Sequence, residues 1–259
     1  MRTPAGYVSP CDGRQWPPSP SKGAWVSLRF HIGCMVRCAV RGGIIAMRGK
    51  MSPRNWAETG FGMMRDMEAL GARCRFEGFG RLAADPRPRV YVANHTSLVE
   101  TIILPPALMA FGEMSVVAKR SLAKYPMFGA ALQACRPILV SRTNARQDLR
   151  DVLEQGSEFI RDGRSVLLFP QSTRSLEFIP AEFNSLGVKL AQKAGAVVTP
   201  IALLTDIAPP GSFAPLRDFG PVDLSREVRF ACGPDLEPGS KCLDASRAFI
   251  ADTLSAWKS

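Results

Sequence analysis

Short apolar runs recur along this 259-residue chain, with polar, helix-like stretches between them. The runs fall at residues 75–79, 90–93, 115–118, 138–140, 166–169, 197–204 and 228–231. Each is rich in aliphatic or aromatic side chains and bounded by polar or turn residues, the pattern of strands buried on both faces. Between them, residues 97–110, 144–162 and 180–194 carry helical spacing. The clearest case is 144–162, where Leu149, Val152, Leu153, Phe159 and Ile160 make one apolar stripe and Gly163 ends the run. Residues 53–71 and 243–257 read as helices at either end. Strands alternating with helices predict an α/β fold, a mostly parallel central sheet flanked by helices.

The N-terminal part has a different pattern. On a helical wheel over residues 22–50, Lys22, Arg29, Arg37, Arg41 and Arg48 fall within an arc of about 120°, and Trp25, Phe30, Ile32, Met35, Val36 and Ile45 fill the remainder. Burying the three central arginines in a bilayer would cost about 2.5–3.5 kcal/mol each. No run of about 18 uninterrupted apolar residues is visible. A basic amphipathic helix lying in the headgroup layer is therefore expected, with a helix that merely covers its own core as the alternative. Gly33 and Gly42-Gly43 are expected to divide it. Residues 1–21 are rich in proline and serine and lack an apolar signal core, so they read as a flexible tail. The expected organisation is thus a tail (1–21), a membrane-associating helical segment (22–72) and an α/β domain (73–259).

Charge and composition narrow the partners. The chain carries a formal +10, and residues 1–80 hold twelve Lys or Arg against five acids. Such a surplus favours an anionic bilayer, a nucleic acid or a phosphate-bearing substrate. No nucleic-acid module or interleaved aromatic pattern is present, so no nucleic-acid partner is expected. Seven scattered cysteines form no C-x-x-C pair and only two histidines accompany them, which argues against a zinc site and for reduced thiols on the cytoplasmic side. A P-loop, a Gly-x-Gly-x-x-Gly fingerprint and a Gly-x-Ser-x-Gly elbow are all missing from the sequence.

The candidate chemistry lies where the run at 89–93 ends, in Asn94-His95-Thr96-Ser97, with Glu100 five residues after the histidine. His95 then occupies a strand-to-helix turn, the place where open α/β sheets carry their sites. On a continuous helix, residues 95 and 100 would diverge by about 140°. With His95 in the turn and Glu100 in the first helical turn, the side chains can meet. A carboxylate on one ring nitrogen fixes the tautomer and leaves the other nitrogen as a general base. Ser97-x-x-Glu100 is equally a capping box, and this fragment leaves both readings open.

Three further blocks follow in order: Ile138-Leu139-Val140-Ser141-Arg142, Phe169-Pro170-Gln171-Ser172-Thr173-Arg174-Ser175, and Val198-Thr199-Pro200-Ile201-Ala202. Together with Asn94-His95 to Glu100 they resemble the glycerolipid acyltransferase family typified by lysophosphatidic acid (1-acylglycerol-3-phosphate) acyltransferases, over roughly residues 74–210. The resemblance implies that His95 deprotonates a lipid hydroxyl, which attacks an acyl thioester without an acyl-enzyme, while Glu100 orients His95. Arg174, and by analogy Arg142, would hold a phosphate in the guanidinium fork. Lys119 is a third candidate cation, or else a solvated strand-end lysine. Ser172, Thr173 and Asn94 are candidates for hydrogen bonds to the substrate or the oxyanion.

No cofactor or metal is implied beyond acyl-CoA or acyl carrier protein as co-substrate. The implied partners are a lysophospholipid and an anionic membrane surface, met peripherally from the cytoplasmic face. A different lysolipid acceptor, or a non-catalytic lipid-binding module, is the alternative. Three departures bear on the acceptor: Glu100 for the usual aspartate, Gln171-Ser172 for Glu-Gly, and Asn184 within Phe183-Asn184-Ser185-Leu186-Gly187 where the family often has lysine. Pro105-Pro106 is expected to kink the helix after the turn and open an acyl groove lined by Leu108, Met109, Phe111, Met127 and Phe128, residues that could equally be core.

Overall fold

A computed structural model of the chain describes residues 15–125, 128–171, 173–209 and 219–258. All seven apolar runs are strands: β1 (Cys74–Glu77), β2 (Arg89–Ala93), β3 (Met114–Lys119), β4 (Ile138–Val140), β5 (Ser165–Leu168), β6 (Val197–Leu204) and β7 (Val228–Cys232). They form one sheet in the order β1-β7-β6-β2-β5-β3-β4. Every pairing is parallel except β6 with β7. Strand β2 lies between β6 and β5 with all five residues buried, which places its C-terminal end in the middle of the rim.

The helices are α1 (Ala24–Phe30), a π-helical stretch (His31–Val36), α2 (Arg37–Met47), α3 (Pro53–Ala69), α4 (Arg81–Ala84), α5 (Leu98–Met109), α6 (Phe128–Ala134), α7 (Ala145–Arg161), α8 (Leu186–Ala194) and α9 (Cys242–Lys258). Helices α1, α2, α3, α5 and α6 cover one face of the sheet, where Tyr91, Ala93, Ile201 and Leu203 join Phe30, Met63, Met67 and Ile103 in one core. Helices α7, α8 and α9 cover the other, against Val90, Val92, Val198 and Ala202. The alternation of β2 and β6 between two cores is the period-two geometry of a strand.

Two close approaches seat the helices. A Cβ at Gly60 of α3 would come within 2.2 Å of Pro106 in α5, so α3 crosses α5 at its double proline. A Cβ at Gly187 of α8 would lie 2.3 Å from Val92, three residues before His95. Only glycine lets α8 rest there. Pro105 and Pro106 are buried inside α5. Of the residues that could have lined an acyl groove or simply formed core, Leu108, Met109 and Phe111 pack into the core, and Met127 lies outside the described residues.

The N-terminal region differs from expectation in three ways. Gly33 and Gly42-Gly43 do not divide the helix: residues Ala24–Met47 run on continuously, and the break comes at Gly49, whose φ is 64°. Gly42 and Gly43 are buried within the helix. Second, this 24-residue helix is long and apolar enough to cross a membrane by length and composition, although 39% of its most apolar window is buried inside the protein. Third, the apolar side chains split: Phe30 and Met35 pack inward, whereas Trp25, Ile32 and Val36 are exposed beside Arg29 and Arg37. Arg37 and Arg41 also meet Asp66 of α3, at 3.3 and 3.8 Å. Of the expected tail, residues 15–21 lie against the body: Arg73 sits over the Trp16 ring, and Ser21 C=O accepts from Leu224 N–H at 2.8 Å. Residues 1–14 lie outside the described part.

Candidate active site

The turn after β2 is pinned from three directions. Asn94 exchanges hydrogen bonds with the backbone of Leu203 in β6, donating at 2.8 Å and accepting at 2.7 Å. Its side chain is thus spent on the neighbouring strand, which corrects the expectation that it would reach a substrate or oxyanion. Ser97 caps α5, its Oγ accepting from Val99 N–H at 3.1 Å. The backbone of His95 is clasped by the loop after β5: its N–H donates to Gln171 Oε1 at 3.1 Å, and its C=O accepts from Ser175 N–H at 2.8 Å. The imidazole stacks on Phe169, with ring centroids 4.4 Å apart.

Glu100 does both jobs that the sequence left open. As the capping-box residue it accepts from Ser97 N–H at 2.7 Å and Thr96 N–H at 2.5 Å. The same Oε1 meets His95 Nδ1 at 2.9 Å, while Oε2 accepts from Ser97 Oγ at 2.8 Å and from Thr205 Oγ1. The carboxyl is completely buried. Burial alone pushes its pKa up, but the bond and charge of His95 and the donors Thr205 and Ser97 outweigh that and hold it below its ordinary value. An ionised carboxylate only accepts, so Nδ1 of His95 carries a proton and the lone pair of the neutral ring is at Nε2. That nitrogen has no hydrogen-bond partner among the described residues, and His95 lines a cavity of about 510 Å³.

The cavity joins an apolar part and a cationic part. Trp56, Pro105, Leu122, Phe128 and Leu132 contribute the first; among the described candidates for the groove, Phe128 reaches it. Lys119, Arg142 and Lys189 contribute the second. Arg142 has φ of 62°, left-handed backbone that a non-glycine residue enters at a cost. Asp148 holds it there, accepting from Ser141 N–H and Arg142 N–H, both at 2.7 Å. Burial in the cavity wall pulls the Arg142 guanidinium below its ordinary pKa, with Asp148 opposing.

Of the residues singled out from sequence, His95, Lys119 and Arg142 share this cavity, and Glu100 stands behind His95. Arg174 is half-buried on the loop that clasps His95, and Thr173 is exposed there; neither lines the cavity. Ser172 lies outside the described residues. Sequence reading missed Thr205, Lys189 and the clasp by Gln171. Thr205 and Gln171 meet the site only through contacts between residues 76 or more apart in the chain, which no local pattern reveals. The six described cysteines are free and buried, and burial pushes the Cys34, Cys38 and Cys135 thiols up to about 12, which removes them as nucleophiles.

A parallel sheet whose central strand ends in a carboxylate-held imidazole, beside a cavity with cationic and apolar walls, fits comparison with known proteins. Residues 77–204 match the family model described as Acyltransferase, and the chain belongs to that family. It is 30% identical over 184 residues to a 1-acyl-sn-glycerol-3-phosphate acyltransferase of Pseudomonas aeruginosa, covering 71% of this chain and 66% of that protein. It is 31% identical over 179 residues to a protein of the same name from Chlamydomonas reinhardtii, covering 68% of this chain and 52% of the other. The chain therefore spans about half to two thirds of the length of these curated relatives. The crystal structure of the 1-acyl-sn-glycerophosphate (LPA) acyltransferase PlsC from Thermotoga maritima superposes with a TM-score of 0.70, covering 91% of this chain and 95% of that one at 18% identity, a likeness of fold.

Proposed function

We propose that this chain transfers a fatty acyl group from a thioester to the sn-2 hydroxyl of 1-acylglycerol 3-phosphate, giving phosphatidic acid. The observation that carries the reading is an imidazole fixed through Nδ1 by a buried carboxylate and lining a cavity that Arg142 and Lys119 also line. The names of the curated relatives support the acceptor.

In this mechanism Nε2 of His95 takes the hydroxyl proton as the oxygen attacks the thioester carbonyl. Glu100 then faces an imidazolium and stabilises it across the 2.9 Å contact. When the tetrahedral intermediate collapses, the C–S bond breaks and the departing thiolate recovers the proton from Nε2. The products are phosphatidic acid and a free thiol, from coenzyme A or a carrier protein. Arg142 and Lys119, which line the cavity, hold the acceptor's phosphate. The apolar wall takes an acyl chain. Purified protein given acyl-CoA and a mixture of lysophosphatidate, lysophosphatidylcholine and monoacylglycerol should yield mainly phosphatidate by mass spectrometry. Preference for the acceptor without phosphate would overturn the assignment.

The substrates are lipids, and the outer face of residues 24–47 supports a peripheral membrane site. Trp25, Leu28, Ile32, Val36 and Met47 are exposed there among Arg29, Arg37, Arg41 and Arg48, while Phe30, Cys34, Met35 and Cys38 are buried against the protein. A helix committed on one side to its own core is proposed to lie in the interface plane rather than cross it. The protein should sediment with anionic vesicles, less so as salt rises, and weakly with neutral ones.

A further inference from the structure

We propose that Lys189 is a phosphate-binding residue of the acyl-transfer cavity, supplying from helix α8 the cation that position 184 lacks. This rests on the acyltransferase reading above.

Asn184 lines the cavity, and its amide is engaged at both ends: Nδ2 donates one hydrogen to Pro170 C=O, and Oδ1 accepts from Leu186 N–H at 3.0 Å. It ties the loop after β5 to the start of α8. A neutral amide brings an anion no positive charge there. Lys189, one helical turn into α8, lines the same cavity and is exposed. No carboxylate pairs with it among the described residues, in contrast to Arg37, Arg81 and Arg226. The acid in the cavity wall, Asp148, accepts from two backbone N–H groups and leaves the cationic balance intact.

The placement is also rigid. Gly187 seats α8 directly on Val92 of the strand that leads into His95, so the turn bearing Lys189 is fixed relative to the base. Lys189, Lys119 and Arg142 therefore arrive from three separate elements, α8, the end of β3 and the β4–α7 turn, at the cavity that His95 lines. Three cations exceed what one carboxylic or neutral headgroup needs and suit a phosphomonoester. The phosphate could belong to the acceptor or to coenzyme A, which carries the same chemistry.

The test compares the unmodified chain with Lys189→Gln and Lys189→Arg, using lysophosphatidate or monoacylglycerol as acceptor and acyl-CoA or acyl-N-acetylcysteamine as donor. Lys189→Gln should raise KM for a phosphate-bearing substrate about ten- to hundredfold, and Lys189→Arg should recover most of it. A rise that follows lysophosphatidate with either donor assigns the acceptor's phosphate. A rise confined to acyl-CoA assigns the donor's. An unchanged KM throughout, or a loss equal for substrates with and without phosphate, overturns the proposal. Thermal stabilisation by glycerol 3-phosphate and by coenzyme A gives a readout independent of turnover. If the unmodified chain transfers no acyl group yet one of these ligands still stabilises it through Lys189, the activity reading falls and the phosphate site stands.

Discussion

Two carboxylates, one half-buried and one fully buried, mark the two ends of the central strands, and they are held in opposite ways. At the N-terminal end Asp235 accepts from Arg81 Nη1 at 3.0 Å, Arg87 Nη2 at 3.1 Å, Arg89 Nε at 3.2 Å and Thr199 Oγ1 at 2.6 Å. At the C-terminal end Glu100 accepts from backbone amides, two hydroxyls and a single imidazole. Burial pushes both carboxyls up, and in both cases the donors overcome it. Thr199, Arg89 and Arg81 hold Asp235 well below the usual carboxylate range, and His95, Thr205 and Ser97 lower Glu100. The difference lies in the donors. A guanidinium closed on Asp235 has no proton to give at neutral pH, so that cluster anchors β2, β6 and α4 and does nothing else. The imidazole on Glu100 has a second nitrogen with no hydrogen-bond partner among the described residues, and His95 lines a cavity. Low pKa alone does not separate a site from an anchor; what the partner leaves unused does.

Exchanging the ends by mutation sharpens this contrast. His95→Ala should lower turnover by about a thousandfold or more, within the range for removing a general base, while thermal melting stays near that of the unmodified chain. Comparable activity in both proteins would place the chemistry elsewhere. Asp235→Asn should do the reverse, costing about 3 kcal/mol in denaturant unfolding because it leaves the nearly inaccessible Arg89 with only the more exposed Asp85 as a counter-charge. Its acyl transfer below the transition should be retained.

Glu100→Gln stands between them, with turnover down about a hundredfold and a smaller loss of stability. Its pH dependence has a definite sign. The folded carboxyl lies below its ordinary value of 4.5, so its stabilisation is complete above that pH and disappears as pH falls through the lowered folded value. Melting curves of the Gln variant should therefore lose part of the acid sensitivity seen in the unmodified chain below about pH 4.5. Identical acid profiles would show that Glu100 is not ionised as described.

The strands were legible because parallel strands buried on both faces are written as continuous apolar runs, as in Arg89–Ala93 and Val197–Leu204. His95 and Glu100 were legible because the turn brings them together over five residues. Strand order was not, and neither was the Asp235 cluster, where Arg89 and its partner are 146 residues apart. Lys189 was hidden for another reason. An exposed helical lysine is ordinary until the sheet supplies a cavity beside it. Asn94 was misjudged because its motif position did not reveal that Leu203 would occupy both ends of its amide. The glycines of residues 33–43 were misread as breaks, since a helix accepts an interior glycine at a cost of only about 1 kcal/mol.

The bracket that Gln171 and Ser175 form around residue 95 has an evolutionary corollary. A loop grafted from a relative to alter headgroup choice would carry off the scaffold that aims the proton acceptor. Selectivity and speed are in this way inherited together, and a change in one will drag the other with it unless the side-chain oxygen of residue 171 and the backbone N–H of residue 175 stay in place.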